Sequence, residues 1–165
     1  MWEKLSRISL VTTGGKYSKP LVHGNTVVIF LSPECPLCKN YVPVLNGLKS
    51  KYPGVSIIGL VPGNSYSVSE VNQFIEEYNV RFEVYLDRYK EIVKLLGART
   101  TPEVFLVDKC GQLRYRGLID NWAVSLGVKR KITTAKFLEE ALNGLTLDKF
   151  QYKETAAVGC LINDL

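Results

Sequence analysis

Residues 27–38 read Val-Val-Ile-Phe-Leu-Ser-Pro-Glu-Cys-Pro-Leu-Cys, and this stretch is the most informative about the fold. Its first five residues form a continuous apolar run rich in β-branched side chains, which predicts a strand covered on both faces. Ser32-Pro33-Glu34 breaks the run. A helix is predicted to begin at Cys35-Pro36-Leu37-Cys38. Pro36 is tolerated in its first turn, because the N–H that proline lacks would have no partner there. The apolar residues of this helix recur at helical spacing, at Leu37, Tyr41, Val44, Leu45, Leu48 and Tyr52.

The residues that follow alternate between strand and helix patterns. Val55–Val61 is a second apolar run, and a helix-length segment separates it from the first, so the two strands should lie parallel. Ser67 and Glu70 have the spacing of a capping box, which marks the start of another helix. The further elements are a short helix over about 88–96, a β-hairpin of 103–107 and 113–117 around a turn at 108–111, and a last helix over 134–142. This order predicts an α/β fold with a mixed central sheet and helices on both faces.

The composition is that of one globular domain. The chain has 165 residues, of which 46% are hydrophobic and 22% charged, with a net charge of +5. These values exclude global disorder, and no window is apolar for long enough to span a membrane. The densest basic cluster, residues 129–131, is too short for a nucleic-acid arm. We therefore predict a single domain over residues 1–165, with a core at about 7–144 and a tail at 145–165, and no nucleic-acid partner.

The four cysteines are unevenly spaced. Cys35 and Cys38 form a C-x-x-C pair, whereas Cys110 and Cys160 stand alone. A structural zinc site would need a second close pair or several histidines, and the only histidine is His23. No metal and no other cofactor is therefore predicted. Four cysteines can pair in three ways, and the sequence alone does not choose among them.

This arrangement of motifs resembles a known fold. A buried strand that runs into C-x-x-C at a helix start, with Thr101-Pro102 before a hairpin, is similar to the thioredoxin fold over about residues 7–144. More narrowly, the chain resembles redoxin-domain proteins of the alkyl hydroperoxide reductase/thiol-specific antioxidant superfamily. That resemblance rests on Thr101-Pro102-Glu103-Val104-Phe105, Asp108, Gly111, Tyr115-Arg116-Gly117 and the late Gly159-Cys160 pair. It implies a thiol-disulfide oxidoreductase whose partners are the thiols and disulfides of proteins.

The C-x-x-C pair is placed where thiol chemistry is favoured. Cys35 is at the start of the predicted helix, where unpaired N–H groups and the positive end of the helix dipole favour a thiolate. A thiolate is the attacking species in disulfide exchange. Cys38 follows one turn later, within reach of a mixed disulfide formed at Cys35. Cys35 is accordingly expected to be the exposed, attacking thiol, and Cys38 the shielded thiol that resolves the mixed disulfide.

Pro102 resembles the cis-proline that lies against the active-site sulfurs in such folds. Because a proline has no N–H, this position would leave the backbone of Thr101 free to pair with an extended substrate chain. The resemblance also makes Pro36 and Leu37, which lie between the two cysteines, expected substrate contacts together with Thr101. The expected catalytic residues are Cys35, Cys38 and Pro102.

Two positions depart from the family pattern. Ile29 stands where thioredoxins have a buried acid, and Tyr41 stands where thioredoxin-like proteins of cytochrome maturation often have a glutamate. Proton transfer to and from the second cysteine then has no evident internal relay. Glu34 adjoins Cys35, and its negative charge should raise the pKa of that thiol unless Lys39 offsets it.

Two other functions stay open on the sequence. A thiol peroxidase would carry a Pro-x-x-x-Thr/Ser-x-x-Cys run; Ser32 matches the serine position, but Val28 stands at the proline position. A copper-binding assembly protein would combine two more widely spaced cysteines with a histidine late in the fold, whereas His23 precedes both cysteines. Soft thiolates would nevertheless suit Cu(I).

The compartment follows only from the resemblance. Redoxin modules of this type often work in the cell envelope, so the envelope or periplasm is preferred over the cytoplasm. Residues 1–7 have no apolar run behind them and do not form a secretory signal.

The tail carries an apolar stretch at residues 156–162. Burying such side chains contributes roughly 1.5–3 kcal/mol each, which offsets the cost of ordering them. We therefore expect the tail to fold back onto the domain. One hypothesis is that Cys160 then forms a second disulfide with Cys110; the alternative is a packed tail with two free thiols.

Overall fold

The computed structural model describes residues 1–20, 24–145 and 151–163. His23, the only histidine, lies outside these ranges. The helices are α1 (Trp2–Leu5), α2 (Pro36–Lys51), α3 (Val68–Glu77), α4 (Glu91–Leu96) and α5 (Phe137–Gly144). The strands are β1 (Leu10–Thr12), β2 (Tyr17–Ser18), β3 (Asn25–Phe30), β4 (Val55–Pro62), β5 (Glu83–Asp87), β6 (Thr100–Thr101), β7 (Glu103–Val107), β8 (Leu113–Gly117), β9 (Ala123–Ser125), β10 (Val128–Lys129), β11 (Lys153–Glu154) and β12 (Cys160–Leu161).

Eight of these strands form one sheet, in the order β11-β8-β7-β3-β4-β5-β1-β2. β3, β4 and β5 run parallel to one another, while β7 runs antiparallel to β3 and to β8. The β3–β4 pair is parallel as predicted, and a helix, α2, makes the crossover. None of the helices in the described ranges is long and apolar enough to cross a membrane.

β3 lies in the middle of the sheet, and its side chains alternate between two cores. Val27 and Ile29 pack in one core, with residues of α2, α3 and α5. Val28 and Phe30 pack in the other, with residues of α1 and α4. Each of these four strand residues is fully buried. The predicted α/β fold with a mixed sheet and helices on both faces is confirmed.

Two helices begin later than their apolar patterns predict, and a polar side chain accepts backbone N–H groups at or just before each start. The carboxylate of Asp87 accepts hydrogen bonds from the backbone N–H groups of the first three residues of α4, at 2.9–3.0 Å. α4 therefore begins at Glu91 rather than near residue 88. The side-chain oxygen of Asn121 accepts the N–H groups of residues 134 and 135 at 2.9 and 3.1 Å. These residues are thereby kept out of α5.

Several short strands of the main sheet, β1 and β5 among them, are absent from the predicted order of elements. β5 has only five residues, begins and ends with a charged residue, and lies between β4 and β1 in the sheet. Its burial comes from pairing with these neighbours. Only three apolar residues lie between the two charged ends of β5, which is shorter than the run of four to eight that indicates a buried strand.

The tail folds back onto the domain, as expected. β11 pairs parallel with β8 at the edge of the sheet, and β12 pairs antiparallel with β6. The tail passes close to the end of β8, and this approach requires Gly117. The φ of Gly117 is +126°, and an added Cβ there would lie 2.2 Å from the carbonyl oxygen of Thr155. The side chain of Ile162 anchors the end of the tail in the core that contains α4.

Candidate active site

The C-x-x-C pair lies at the point where β3 leaves the sheet and α2 begins. Cys35 is the N-cap residue of α2, with extended backbone angles, and Pro36 is the first residue of the helix. The N–H of Cys35 donates to the carbonyl oxygen of Ser32 at 3.1 Å, which closes the turn between strand and helix. The predicted helix start is confirmed.

Cys38 is the shielded thiol. Its side chain is fully buried, and the backbone N–H of Ser32 donates a hydrogen bond to its sulfur at 3.4 Å. Burial raises the pKa of Cys38 well above its ordinary value, because a thiolate would lose its hydration there. Cys38 therefore holds its proton at neutral pH.

Cys35 was expected to be exposed, and this is wrong: its side chain is only 2% exposed. The sulfur of Cys160 lies 2.9 Å from the sulfur of Cys35, and the carbonyl oxygen of Thr101 lies 3.3 Å from it. The tail and the segment before Pro102 thus cover the Cys35 sulfur. Helix geometry alone does not reveal this cover, since it comes from residues far away in the chain.

The pKa of the Cys35 thiol is lowered to about 5. The largest cause is a hydrogen bond from the thiol of Cys38 to the Cys35 thiolate, and a hydrogen bond from Cys160 adds to it against the cost of burial. The adjacent Glu34, expected to raise this pKa unless Lys39 offsets it, does not prevent the net lowering. Its side chain is exposed, and the hydroxyl of Tyr66 donates to it at 3.4 Å. Hydrogen bonds from two neighbouring thiols therefore stabilise the Cys35 thiolate.

Cys160 carries the opposite shift. Burial, followed by its hydrogen bond and charge interaction with Cys35, raises the pKa of Cys160 to about 11. At neutral pH the cluster accordingly holds one thiolate, on Cys35, and two thiols that donate to it. Of these three cysteines, Cys35 is thus the one that is ionised at neutral pH.

The hypothesis of a Cys110–Cys160 disulfide is wrong. Cys110 is exposed in the turn between β7 and β8, whereas Cys160 lies beside Cys35 next to Pro102, at the start of β7. The five residues of β7 span roughly 16 Å, well beyond the 7 Å that a disulfide allows between Cα atoms. Pairing of β12 with β6 places Cys160 at the opposite end of β7 from Cys110.

The Thr101–Pro102 peptide bond is cis, and both residues are buried. The backbone of Thr101 was expected to be free for a substrate, and this is wrong. β6 is already paired with β12, with Cys160 opposite Thr101 and Leu161 opposite Thr100. Such close pairing requires Gly159, because a Cβ at that position would lie 2.1 Å from the carbonyl oxygen of Thr101.

The two residues between the cysteines have different surroundings. Pro36 is exposed on the surface. Leu37 is buried in the core that packs against α2, in line with Tyr41 and Leu45 one and two turns on. Residues four apart share one helix face, and this face points inward. Leu37 was expected to contact the substrate, and this is wrong, because its side chain belongs to the core.

A buried carboxylate, Glu103, holds the segment before the cis peptide. Glu103 accepts the N–H groups of Arg99 and Thr100 at 2.8 and 3.3 Å, and its other oxygen pairs with the guanidinium of Arg116 at 2.9 Å. The hydrogen bonds to Arg99 and Thr100 set the course of β6. Glu103 thus positions the strand against which Cys160 is placed.

We expect Glu103→Gln to lower the free energy of unfolding by about 2–3 kcal/mol, because Arg116 loses an ion-pair partner in a largely buried setting. Urea unfolding of the reduced protein measures this. Glu76→Gln, at an exposed position of α3, is the matched control and should change the free energy by less than about 0.5 kcal/mol. Equal effects of the two substitutions would contradict a positioning role for Glu103.

The sequence motifs do not single out Tyr66. Its hydroxyl lies 2.9 Å from the hydroxyl of Ser32, beside the C-x-x-C turn. Both residues line a cavity of about 520 Å³ that Thr101 and Cys160 also border. Tyr66 precedes the capping box of α3 and carries no pattern of its own, so only the packing of that loop identifies it.

The departures at Ile29 and Tyr41 are visible in the structure. Ile29 is a fully buried core residue of β3. The hydroxyl of Tyr41 donates to the buried carboxylate of Asp120 at 2.6 Å, and burial raises the pKa of this tyrosine. Within the described ranges, the sulfur of Cys38 has no carboxylate as a hydrogen-bond partner. Its polar neighbours are the Cys35 thiolate, the N–H of Ser32 and Thr101.

Comparison with known proteins places these features in a family. Residues 4–116 match the model of the AhpC/TSA family. The chain is 35% identical over 86 residues to the thiol-disulfide oxidoreductase ResA of Bacillus thuringiensis subsp. konkukian. These 86 residues cover 51% of this chain and 49% of that protein. The chain thus matches about half the length of the curated relatives to which it is similar.

Solved structures share the fold over nearly the whole chain. A hypothetical protein of Sinorhizobium meliloti matches with a TM-score of 0.80 and 22% identity, covering 94% of this chain and 89% of that one. A secreted Mycobacterium tuberculosis disulfide oxidoreductase homologous to E. coli DsbE matches with a TM-score of 0.61 and 20% identity, covering 86% and 95%. The fold is thioredoxin-like, as the motifs predict.

Proposed function

The chain belongs to the AhpC/TSA family, and we propose that it is a thiol-disulfide oxidoreductase that exchanges electrons with protein partners through Cys35 and Cys38. The observation that carries the proposal is the opposite behaviour of the two thiols. The pKa of Cys35 is lowered to about 5, while that of Cys38 is raised well above its ordinary value. Cys35 is therefore the attacking thiolate, and Cys38 stays protonated until it attacks the mixed disulfide.

The exchange in the reducing direction has two steps. The Cys35 thiolate attacks one sulfur of a partner disulfide, so that a mixed disulfide forms and the other partner sulfur leaves as a thiolate. Cys38 then loses its proton and attacks the Cys35 sulfur, which releases the second partner thiolate. The partner gains two electrons, and the protein keeps a Cys35–Cys38 disulfide. Oxidation of a partner dithiol is the same sequence reversed.

Two site residues support this assignment from their positions. Pro102, in its cis peptide, lies directly after Thr101, whose carbonyl oxygen touches the Cys35 sulfur. Pro36 is exposed next to the nucleophile and is a contact for the partner protein. Val28, at the proline position of the peroxidase motif, is fully buried in β3, and the hydroxyl of Ser32 is engaged with Tyr66. These features favour exchange over peroxide reduction.

The pH dependence of the reduction potential tests the proposal. Because Cys35 is already a thiolate above about pH 5, reduction of the Cys35–Cys38 disulfide takes up one proton per two electrons rather than two. The potential should therefore fall by about 30 mV per pH unit between about pH 6 and pH 8, instead of about 59 mV. Below the pKa of Cys35 the slope should steepen, since both thiols are then protonated in the reduced protein.

Equilibration with glutathione buffers, followed by mass mapping of the Cys35–Cys38 disulfide, measures the slope. A dithiol peptide without a fold is the reference for the steeper value. A slope of about 59 mV over the same range would overturn the assignment of Cys35 as a thiolate. Turnover of hydrogen peroxide without insulin reduction would favour the peroxidase instead, and tight Cu(I) binding without insulin reduction would favour the copper protein.

A further inference from the structure

The end of the tail occupies the groove beside the cis-proline. β12 lies antiparallel to β6, and the N–H of Ile162 donates to the carbonyl oxygen of Arg99 at 2.9 Å. The hydroxyl of Thr101 donates to the carbonyl oxygen of Cys160 at 3.5 Å. The tail thus meets β6 as an added strand, through main-chain pairing that does not depend on side-chain identity.

The tail also presents a sulfur to the nucleophile. Cys160 is the first residue of β12, and its sulfur lies 2.9 Å from the sulfur of Cys35. Gly159 permits this approach, because any side chain there would collide with the carbonyl of Thr101. A paired extended strand that brings a cysteine against Cys35 has the arrangement expected of a bound protein substrate.

We propose that residues 158–162 are an intramolecular substrate of the Cys35–Cys38 couple, with Cys160 as a third redox-active cysteine. The inference rests on the proposed function, since it requires Cys35 to be the exchanging thiol. It extends that function by adding a third cysteine to the disulfide exchange.

The exchange is balanced within the chain. Starting from a Cys35–Cys38 disulfide, Cys160 loses its proton and attacks the sulfur of Cys35. The Cys35–Cys38 bond breaks, a Cys35–Cys160 bond forms, and Cys38 leaves as a thiolate that takes up one proton. No electrons enter or leave, because one disulfide and one thiol are present before and after. The proton that Cys160 gives up is matched by the one that Cys38 takes up, so the net charge of the three cysteines does not change.

The exchange moves one sulfur of the disulfide to a more accessible position. Cys38 is fully buried and Cys35 nearly so, whereas Cys160 is half-buried and borders the cavity of about 520 Å³. After the exchange, one sulfur of the disulfide therefore faces a space that a partner thiol can enter. Through Cys160, the tail therefore links the buried Cys35–Cys38 pair to the protein surface by disulfide exchange.

A variant with only two cysteines tests the pairing directly. In Cys38→Ser/Cys110→Ser, the remaining thiols are Cys35 and Cys160. We expect oxidised glutathione to convert this monomer completely to an intramolecular Cys35–Cys160 disulfide, with release of two glutathione thiols, as read by peptide mapping without reduction. The matched control, Cys38→Ser/Cys160→Ser, leaves Cys35 with Cys110 and should stop at glutathione on Cys35.

The full cluster is tested in Cys110→Ser, which keeps all three thiols. After oxidation and an acid quench, mapping should find both Cys35–Cys38 and Cys35–Cys160 disulfides. Glutathione trapped on Cys35 in the two-cysteine variant, or a Cys35–Cys160 bond that is absent when Cys38 is present, would overturn the inference. The proposed function fails separately, when Cys35–Cys38 does not form and insulin is not reduced.

Discussion

Cys35→Ser should reduce the rate of insulin reduction by at least about 10³-fold, because a serine hydroxyl does not ionise to a nucleophile at neutral pH. The loss should be seen at every dithiothreitol concentration at which the unmodified protein is active. Turbidity of the released insulin chains measures the rate. Urea unfolding of the same variant shows whether the domain is still folded.

Two further variants give this experiment its controls. Cys110→Ser, in the exposed turn between β7 and β8, should retain the activity of the unmodified protein. Cys38→Ser/Cys160→Ser should accumulate mixed disulfides between Cys35 and the partner, since resolution needs a second thiol within reach of the Cys35 sulfur. Insulin reduction by Cys35→Ser at a rate near that of Cys110→Ser would contradict the role of Cys35.

Gly159→Ala should expose the nucleophile. The added Cβ would lie 2.1 Å from the carbonyl oxygen of Thr101, and backbone on both sides leaves no flexible group to yield. Overpacking of this kind costs about 1–3 kcal/mol, so we expect β12 to leave β6 and Cys35 to react with iodoacetamide about 10- to 100-fold faster. Mass mapping of the alkylated peptides at neutral pH measures the rate at each cysteine.

Gly54→Ala is the matched control for this substitution. Gly54 lies in an exposed turn, has no atom within 4 Å of an added Cβ, and does not require a positive φ. Its alanine variant should label Cys35 at the rate of the unmodified protein. Equal labelling rates in Gly159→Ala and Gly54→Ala would show that β12 does not shield the nucleophile.

Much of the fold is encoded locally, and these parts could be predicted. The apolar run of β3, the helix start at Cys35 and the capping box at Ser67 and Glu70 depend on neighbours within a few residues. The hairpin of β7 and β8 likewise follows from two strands and a short turn. β5 and β1 could not be predicted, because their burial comes from the strands beside them in the sheet.

The C-x-x-C couple and its place at the end of a buried strand could be read from the sequence, because strand, turn and helix signals are contiguous there. The cover over Cys35 could not, since Cys160 lies 125 positions away along the chain. Pairing of the tail with Thr101, which brings a third sulfur to the couple, is a property of the tertiary structure alone. This contact depends on two distant backbones meeting at Gly159, where the absence of a side chain leaves no signal of a partner.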